Sequence, residues 1–386
     1  MTLRVLSIFG TRPEAVKMAP IVQALAQAPK VTSLVCVTAQ HRQMLDQVLD
    51  LFNILPDVDL NLMQPDQTLA NLTADIFTPL DPVLADLKPD WVLVQGDTTT
   101  VMASSLAAYY RHIRVGHVEA GLRTDDKWQP FPEEINRRLA SVVTDLHFAP
   151  TDWARQNLLR ENIPSGQIIV TGNPVIDALH AVVRIPPTPA VLALFKQIEI
   201  PYVLPGETLN PATSHPRLIL VTAHRRENFG APLVNICTAL KTLAESYGDA
   251  IRIVYPVHLN PNVQEPVYRL LGAVPNIKLL PPVDYLPMVH LMKHATIVLT
   301  DSGGLQEEAP ALGVPVLVMR AVTERPEGVQ AGTVRLVGTD TAQIVAQSRL
   351  LLDDGTAYSA MAQAINPYGD GKAAGRIVNA ILNTDH

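Results

Sequence analysis

The sequence predicts an α/β protein: two Rossmann-like, doubly wound domains in tandem, facing a central cleft. Three observations carry this prediction. The chain has 386 residues, too many for one ordinary core and suited to two. Short, nearly continuous apolar runs alternate with helix-length amphipathic stretches, the pattern of parallel strands covered on both faces. The alternation stops in a proline-dense stretch at 184–217 and then begins again.

In the first half the predicted strands are 5–9, 34–38, 92–95, 115–118, 146–149 and 168–170. The helices between them are 14–28, 41–52, 69–87, 99–111, 133–143 and 152–161. The stretch that follows contains Pro186, Pro187, Pro189, Pro201, Pro205, Pro211 and Pro216. It reads as a loop-rich connection holding at least one short helix, 191–198. Strands then resume at 218–222, 251–255, 277–280, 297–300, 316–318 and 334–337, with helices at 231–246, 263–271, 285–293, 304–312 and 341–353. A last helix, 371–383, is expected to return to the first domain. The expected division is therefore 1–175, joined by 366–386, and 176–365.

Composition narrows the partners. Hydrophobic residues are 47% and charged residues 17%, enough to fill large cores and too apolar for long disordered tracts. A net charge of -7 argues against nucleic acid or an anionic membrane as partner. Cys36 and Cys237 each sit in an apolar run and read as small buried hydrophobes. No apolar stretch approaches the roughly 18 residues of a membrane helix. The apolar opening at 5–9 meets Arg12, Glu14 and Lys17 too soon for a signal peptide. The expectation is a soluble, cytoplasmic protein. The 11 histidines show no paired ligand spacing, so no metal is expected. Asp57-Val58-Asp59 spells a DxD but reads as a solvated turn.

Titratable residues gather at predicted strand ends, where open parallel sheets bind ligands. Asp97, Glu119, Glu133, Glu134 and His224 all stand there or just beyond. Taken alone, Asp97 before three threonines reads as an N-cap, and Glu133 with Glu134 after Pro132 suits a first helical turn. Glu119, before Ala120-Gly121, has no such explanation. Arg12 and Lys17 at the first helix start could meet a phosphate, or be a solvated pair. Asp301-Ser302-Gly303-Gly304 follows a strand and opens a helix. Its glycines let a phosphate approach the backbone, and the helix N-terminus supplies free N–H groups. Glu308, further along, is placed to accept from ribose hydroxyls.

These residues, in order, resemble the bacterial non-hydrolysing UDP-N-acetylglucosamine 2-epimerases. The resemblance rests on Gly10-Thr11-Arg12-Pro13-Glu14, Thr38-Ala39-Gln40-His41-Arg42, Gly96-Asp97-Thr98-Thr99-Thr100 and His117-Val118-Glu119-Ala120-Gly121. It continues in His224-Arg225-Arg226-Glu227-Asn228, Pro256-Val257-His258, Ser302-Gly303-Gly304 and Thr323-Glu324-Arg325-Pro326-Glu327. The main departure is the proline-rich 199–216, which looks longer than is usual. The resemblance implies a phosphorylase-type (GT-B) glycosyltransferase architecture with UDP held by the second domain, usually in a homodimer. It implies interconversion of UDP-N-acetylglucosamine and UDP-N-acetylmannosamine for surface polysaccharide synthesis, without cofactor.

The family chemistry first breaks the bond from carbon 1 to UDP, giving 2-acetamidoglucal, and then adds UDP back. On this reading Asp97, Glu119 and Glu133 divide the acid, base and charge-stabilising work, with no individual assignment. Arg12, Lys17, His224, Ser302, Gly303 and Gly304 face the diphosphate, Glu308 the ribose, and Arg325 the nucleotide. A second, activating substrate site would involve Arg42, Gln43, Glu134, Arg226 and His258. The alternatives are a GT-B glycosyltransferase using a UDP-sugar, a hydrolysing epimerase, an epimerase of a UDP-diacetamido uronic acid, and a non-enzymatic sensor.

Overall fold

The computed structural model describes residues 2–39, 42–62, 67–204 and 215–384. The chain forms two compact units, Met1–His180 with Tyr368–His386, and Ala181–Pro367.

The first unit is built on a seven-stranded parallel sheet in the order β3-β2-β1-β4-β5-β6-β7. The strands are β1 (Leu3–Phe9), β2 (Val31–Val37), β3 (Val58–Asp59), β4 (Trp91–Gln95), β5 (Arg114–Val118), β6 (Leu146–Ala149) and β7 (Ile168–Val170). The helices are α1 (Arg12–Gln27), α2 (Arg42–Phe52), α3 (Leu69–Leu87), α4 (Thr99–Tyr110), α5 (Glu133–Val142), α6 (Asp152–Arg160) and α7 (Pro174–Val182). The central strands are buried on both faces, as a helix-covered parallel sheet requires. Leu6, Ile8, Val92, Val94, Val101 and Val115 form the middle of one core cluster.

The second unit repeats the plan. After α8 (Pro189–Gln197), its strands are β8 (Arg217–Thr222), β9 (Ile251–Pro256), β10 (Ile277–Leu280), β11 (Ala295–Thr300), β12 (Val316–Val318) and β13 (Val334–Leu336). Their order is β10-β9-β8-β11-β12-β13, again all parallel. The helices are α9 (Ala231–Tyr247), α10 (Pro261–Leu271), α11 (Tyr285–His294), α12 (Gly303–Ala311), α13 (Pro326–Ala331), α14 (Thr341–Asp353) and α15 (Gly355–Ala362). Cys237 is buried in this core with Ile236, Leu240 and Ile253, and Cys36 lies in the first. Burial pushes both thiols up to about 12, so they behave as hydrophobes.

The final helix α16 (Ala373–Asn383) packs on α1 of the first unit. Its own N-cap residue, Lys372, makes no side-chain cap. Asp177 of α7 supplies one instead, accepting from the N–H groups of Ala373 and Ala374 at 3.1 and 2.9 Å.

Two local expectations fail. The DxD is not a solvated turn: Val58–Asp59 is a strand beside β2. Asp57 accepts the Val35 N–H at 2.8 Å, and Asp59 pairs with Arg42. Asp97 is not an N-cap, because Thr98 takes that place on α4. The expected connection at 184–217 does hold a helix, α8, but residues 205–214 lie outside the described residues.

Candidate functional site

In each sheet the strand order reverses between the first strand and its crossover partner, β1 and β4 in one, β8 and β11 in the other. Such a switch point splays the connecting loops and opens a crevice at the carboxyl ends of the strands. The candidate residues are built on these two edges.

The first edge begins at Gly10, where any side chain is excluded: a Cβ would lie 1.9 Å from Thr38 Oγ1. Glu14, buried on the first turn of α1, accepts the Gly10 and Thr11 N–H groups at 2.9 and 2.7 Å. Its other oxygen accepts the Thr98 hydroxyl, tying the β1 loop to the β4 loop. Burial pushes this carboxyl above its ordinary value, against the pull of its donors. Arg12 sits half-buried beside this turn, with no side-chain partner among the described residues.

Glu119 occupies the turn after β5 with φ of +62°, a left-handed backbone that costs a non-glycine residue about 1–2 kcal/mol. It is 6% exposed. Lys17 Nζ donates to Oε1 and Oε2 at 2.7 and 2.6 Å, Asn173 Nδ2 donates to Oε1 at 2.8 Å, and Gln95 Nε2 donates to Oε2. Lys17 is thus engaged with a carboxylate rather than held apart at the helix start.

Asp97 follows β4 and Gly96. Arg137 of α5 pairs with its carboxylate, and Asn136 Nδ2 donates to its carbonyl at 3.1 Å. Burial pushes the Asp97 carboxyl above its ordinary value; Arg137 opposes this and the nearby Glu119 adds to it. His117 donates from Nε2 to the Gly96 carbonyl at 2.7 Å, fixing the same turn. Glu133 is the first residue of α5, partly exposed, with no hydrogen-bond partner among the described residues. Glu134 beside it is buried and committed: it accepts from the N–H groups of Thr124 and Asp125 at 3.1 and 3.3 Å and pairs with Arg138.

The second edge differs in kind. His224 follows β8, and its Nδ1 lies 3.5 Å from Oδ1 of the wholly buried Asp301. The His258 ring stacks on it, centroids 5.4 Å apart and planes 12° apart. Burial holds the His224 imidazole below its ordinary value while Asp301 pulls the other way. Ser302 is the N-cap residue of α12 but makes no side-chain cap, so its hydroxyl stays available to a ligand. Gly303 lies under Arg325, whose Nη1 would be 2.6 Å from a Cβ there. Arg325 pairs with Glu307 and Glu324. The Glu308 carboxylate accepts the Tyr285 hydroxyl at 2.6 Å.

The structure therefore gathers Lys17, Asp97 and Glu119 with Arg12 nearby on one edge, and His224, Ser302, Gly303, Glu308 and Arg325 on the other. Arg42, on α2, is bound to Asp46 and Asp59 instead, and the side chain of Gln43 lies outside the described residues. Arg226 and His258 are exposed on the second edge. Sequence reasoning missed Gln95, Arg137, Asn173, Tyr285 and Asp301 as partners of these groups. No predicted element covers Gly172-Asn173-Pro174, so nothing local signalled a contact 54 residues away. Among the described residues no group of three or more His, Cys, Asp or Glu could hold a metal ion, and no helix is long and apolar enough to cross a membrane.

Comparison with known proteins gives one consistent answer. The family model described as UDP-N-acetylglucosamine 2-epimerase matches residues 23–382. The chain is 56% identical over 379 residues to a UDP-N-acetylglucosamine 2-epimerase of Salmonella typhimurium, covering 98% of each. It is 56% identical over 381 residues to that of Escherichia coli, covering 99% of each. A crystal structure of UDP-GlcNAc 2-epimerase from Neisseria meningitidis bound to UDP-GlcNAc superposes with a TM-score of 0.87 at 49% identity, covering 99% of this chain and 100% of that one.

Proposed function

The chain belongs to the UDP-N-acetylglucosamine 2-epimerase family and is an isomerase of that activity, and from that premise we propose how its residues do the work. Carbon 2 of the sugar has no carbonyl neighbour in the ring, so direct removal of its proton is implausible. The proton is instead lost to a carboxylate as the bond from carbon 1 to the diphosphate breaks. The products are UDP and a glucal with a carbon 1–carbon 2 double bond. Re-addition of UDP, with a proton delivered to the opposite face of carbon 2, yields UDP-N-acetylmannosamine.

Asp97, Glu119 and Glu133 share the proton-moving and charge-stabilising roles. Arg12, Lys17, His224 and the Ser302-Gly303-Gly304 turn hold the diphosphate as it departs. Glu308 binds the ribose and Arg325 the nucleotide. The observation that carries this reading is Glu119: buried, left-handed in backbone and ringed by donors from β4, α1 and the start of α7. A fold keeps so costly an arrangement where a carboxylate must be held in one orientation. Arrival of the diphosphate offers Lys17 a second anionic partner and loosens this ring.

The test is proton NMR of UDP-N-acetylglucosamine incubated with the protein in heavy water, without acceptor. Deuterium at carbon 2 of both UDP-sugars is expected. Absence of exchange in folded protein sinks the elimination route, and release of free N-acetylmannosamine moves the chain to a hydrolysing reaction.

The remaining readings are also proposals. The product feeds a surface polysaccharide from the cytoplasm, and Arg226, His258, Glu134, Arg42 and Gln43 serve a second, activating substrate. The functional unit is a homodimer. On α5, Ile135, Leu139 and Val142 form an exposed apolar stripe, and Trp128 and Phe131 just before it are exposed with rings 5.7 Å apart. A single-chain mass by sedimentation would overturn the dimer.

A further inference from the structure

On the second edge Asp301 does more than end a strand. It ends β11, wholly buried. Its Oδ2 accepts the backbone N–H of His224 at 2.8 Å, that of Arg225 at 2.9 Å and the Asn228 amide at 3.0 Å. The loop after β8 is thereby wrapped around a single oxygen. Its Oδ1 is different: buried, and without a hydrogen-bond partner among the described residues. An unsatisfied buried acceptor costs about 1–3 kcal/mol. The basic group facing it is His224 Nδ1, 3.5 Å away.

We propose that Asp301 is a positioning residue for His224: its free oxygen holds the imidazole with Nδ1–H turned inward and Nε2 toward the diphosphate, and its charge balances the ring when it becomes cationic. The proposal rests on the epimerase reading above. His258, stacked on the ring, limits its tilt. The charged and titratable groups acting on the ring are Asp301, which favours the cation, and Arg225 and His258, which disfavour it along with burial. Held below its ordinary value, the resting ring is neutral near pH 7. A bound diphosphate adds negative charge on the Nε2 side. The ring then takes a proton from solvent, with Asp301 on one nitrogen and a phosphate oxygen on the other. His224 would hold the leaving diphosphate as a charged donor only while it is bound.

Asp301→Asn keeps the shape and removes the charge. The expected result is a roughly 10- to 100-fold loss of kcat with KM changed by less than about threefold. Loss of the favouring charge lowers the pH at which the ring deprotonates, so the alkaline limb of the kcat–pH profile moves to lower pH. A merely structural role lowers kcat at every pH and leaves the limb in place. His224→Ala and the double variant should be equally slow. A folded Asp301→Asn enzyme with the wild-type limb, or a double variant showing the product of both losses, overturns the proposal. Nitrogen-15 NMR of the wild-type His224 ring needs no variant. Nδ1 should stay protonated and the titration midpoint should rise when UDP is added; a neutral ring protonated on Nε2 overturns the assignment. If wild-type protein does not epimerise at all, the functional reading fails instead, and the NMR result stands apart from it.

Discussion

The two units share one strand plan but carry different side chains at its edge. Both sheets run outward from β1/β4 or β8/β11 in the same order, all parallel. Yet the first edge carries carboxylates already paired with cations, Glu119 with Lys17 and Asp97 with Arg137. The second carries a histidine pair, a serine-glycine turn and a single buried aspartate. A shared scaffold thus fixes where a ligand sits, while the residues grafted on its loops fix what is done there. We propose that the first edge moves protons and the second holds an anion, a contrast that mutation can test.

The largest effect should fall on the first edge alone. Glu119→Gln keeps the side chain's size but cannot take a proton, and it puts an amide donor in place of one oxygen that accepts from Lys17 and from Asn173 or Gln95. Exchange at carbon 2 in heavy water should fall by about 10³-fold or more, while UDP affinity by calorimetry stays within about threefold. Persistent turnover would remove Glu119 from the chemistry. A smaller and opposite effect is expected on the second edge. In Gly303→Ala the new Cβ meets the Arg325 guanidinium and pushes it from its seat between Glu307 and Glu324. UDP should bind roughly tenfold more weakly, about 1.4 kcal/mol, with carbon 2 chemistry at saturation little changed. Equal loss of binding in both variants would erase the division of labour.

This contrast was only partly legible in the sequence. The strands and most helices were, because buried parallel strands are written as short apolar runs; the ends of α3 and α14 fall where the periodicity put them. The two-residue β3 was missed because so short a run carries no period, and α7 because Pro174 masked its start. Glu119 and the Ser302 turn were visible as polar residues where a strand stops. Their partners were not. Gln95 ends a predicted strand, Arg137 lies within a predicted helix, and Asp301 opens the serine-glycine run. What gives each its role is a contact across 24, 40 or 77 residues, which only the fold supplies.

The smallest expected effect concerns stability, and it again separates the edges. The first sheet buries two histidines on adjacent strands in register, His117 on β5 and His147 on β6. Burial pushes His117 down to about 4 and His147 down to about 3. His147 has no hydrogen bond at either ring nitrogen among the described residues. An imidazole whose folded value is depressed is neutral in the fold while the unfolded chain takes up a proton below about 6.5. The unfolded state then binds more protons, so stability rises with pH across this window and is lost as pH falls from about 6.5 toward 4. His147→Leu removes the proton uptake and both unsatisfied nitrogens, while roughly keeping the volume. Thermal unfolding at pH 7 should be unchanged or shifted slightly upward. At pH 5 the variant should outlast the wild type by on the order of 1–2 kcal/mol. The analogous change at His258, exposed on the second edge, serves as the control. If both variants shift acid unfolding equally, the sensitivity belongs to the whole chain and not to the first sheet.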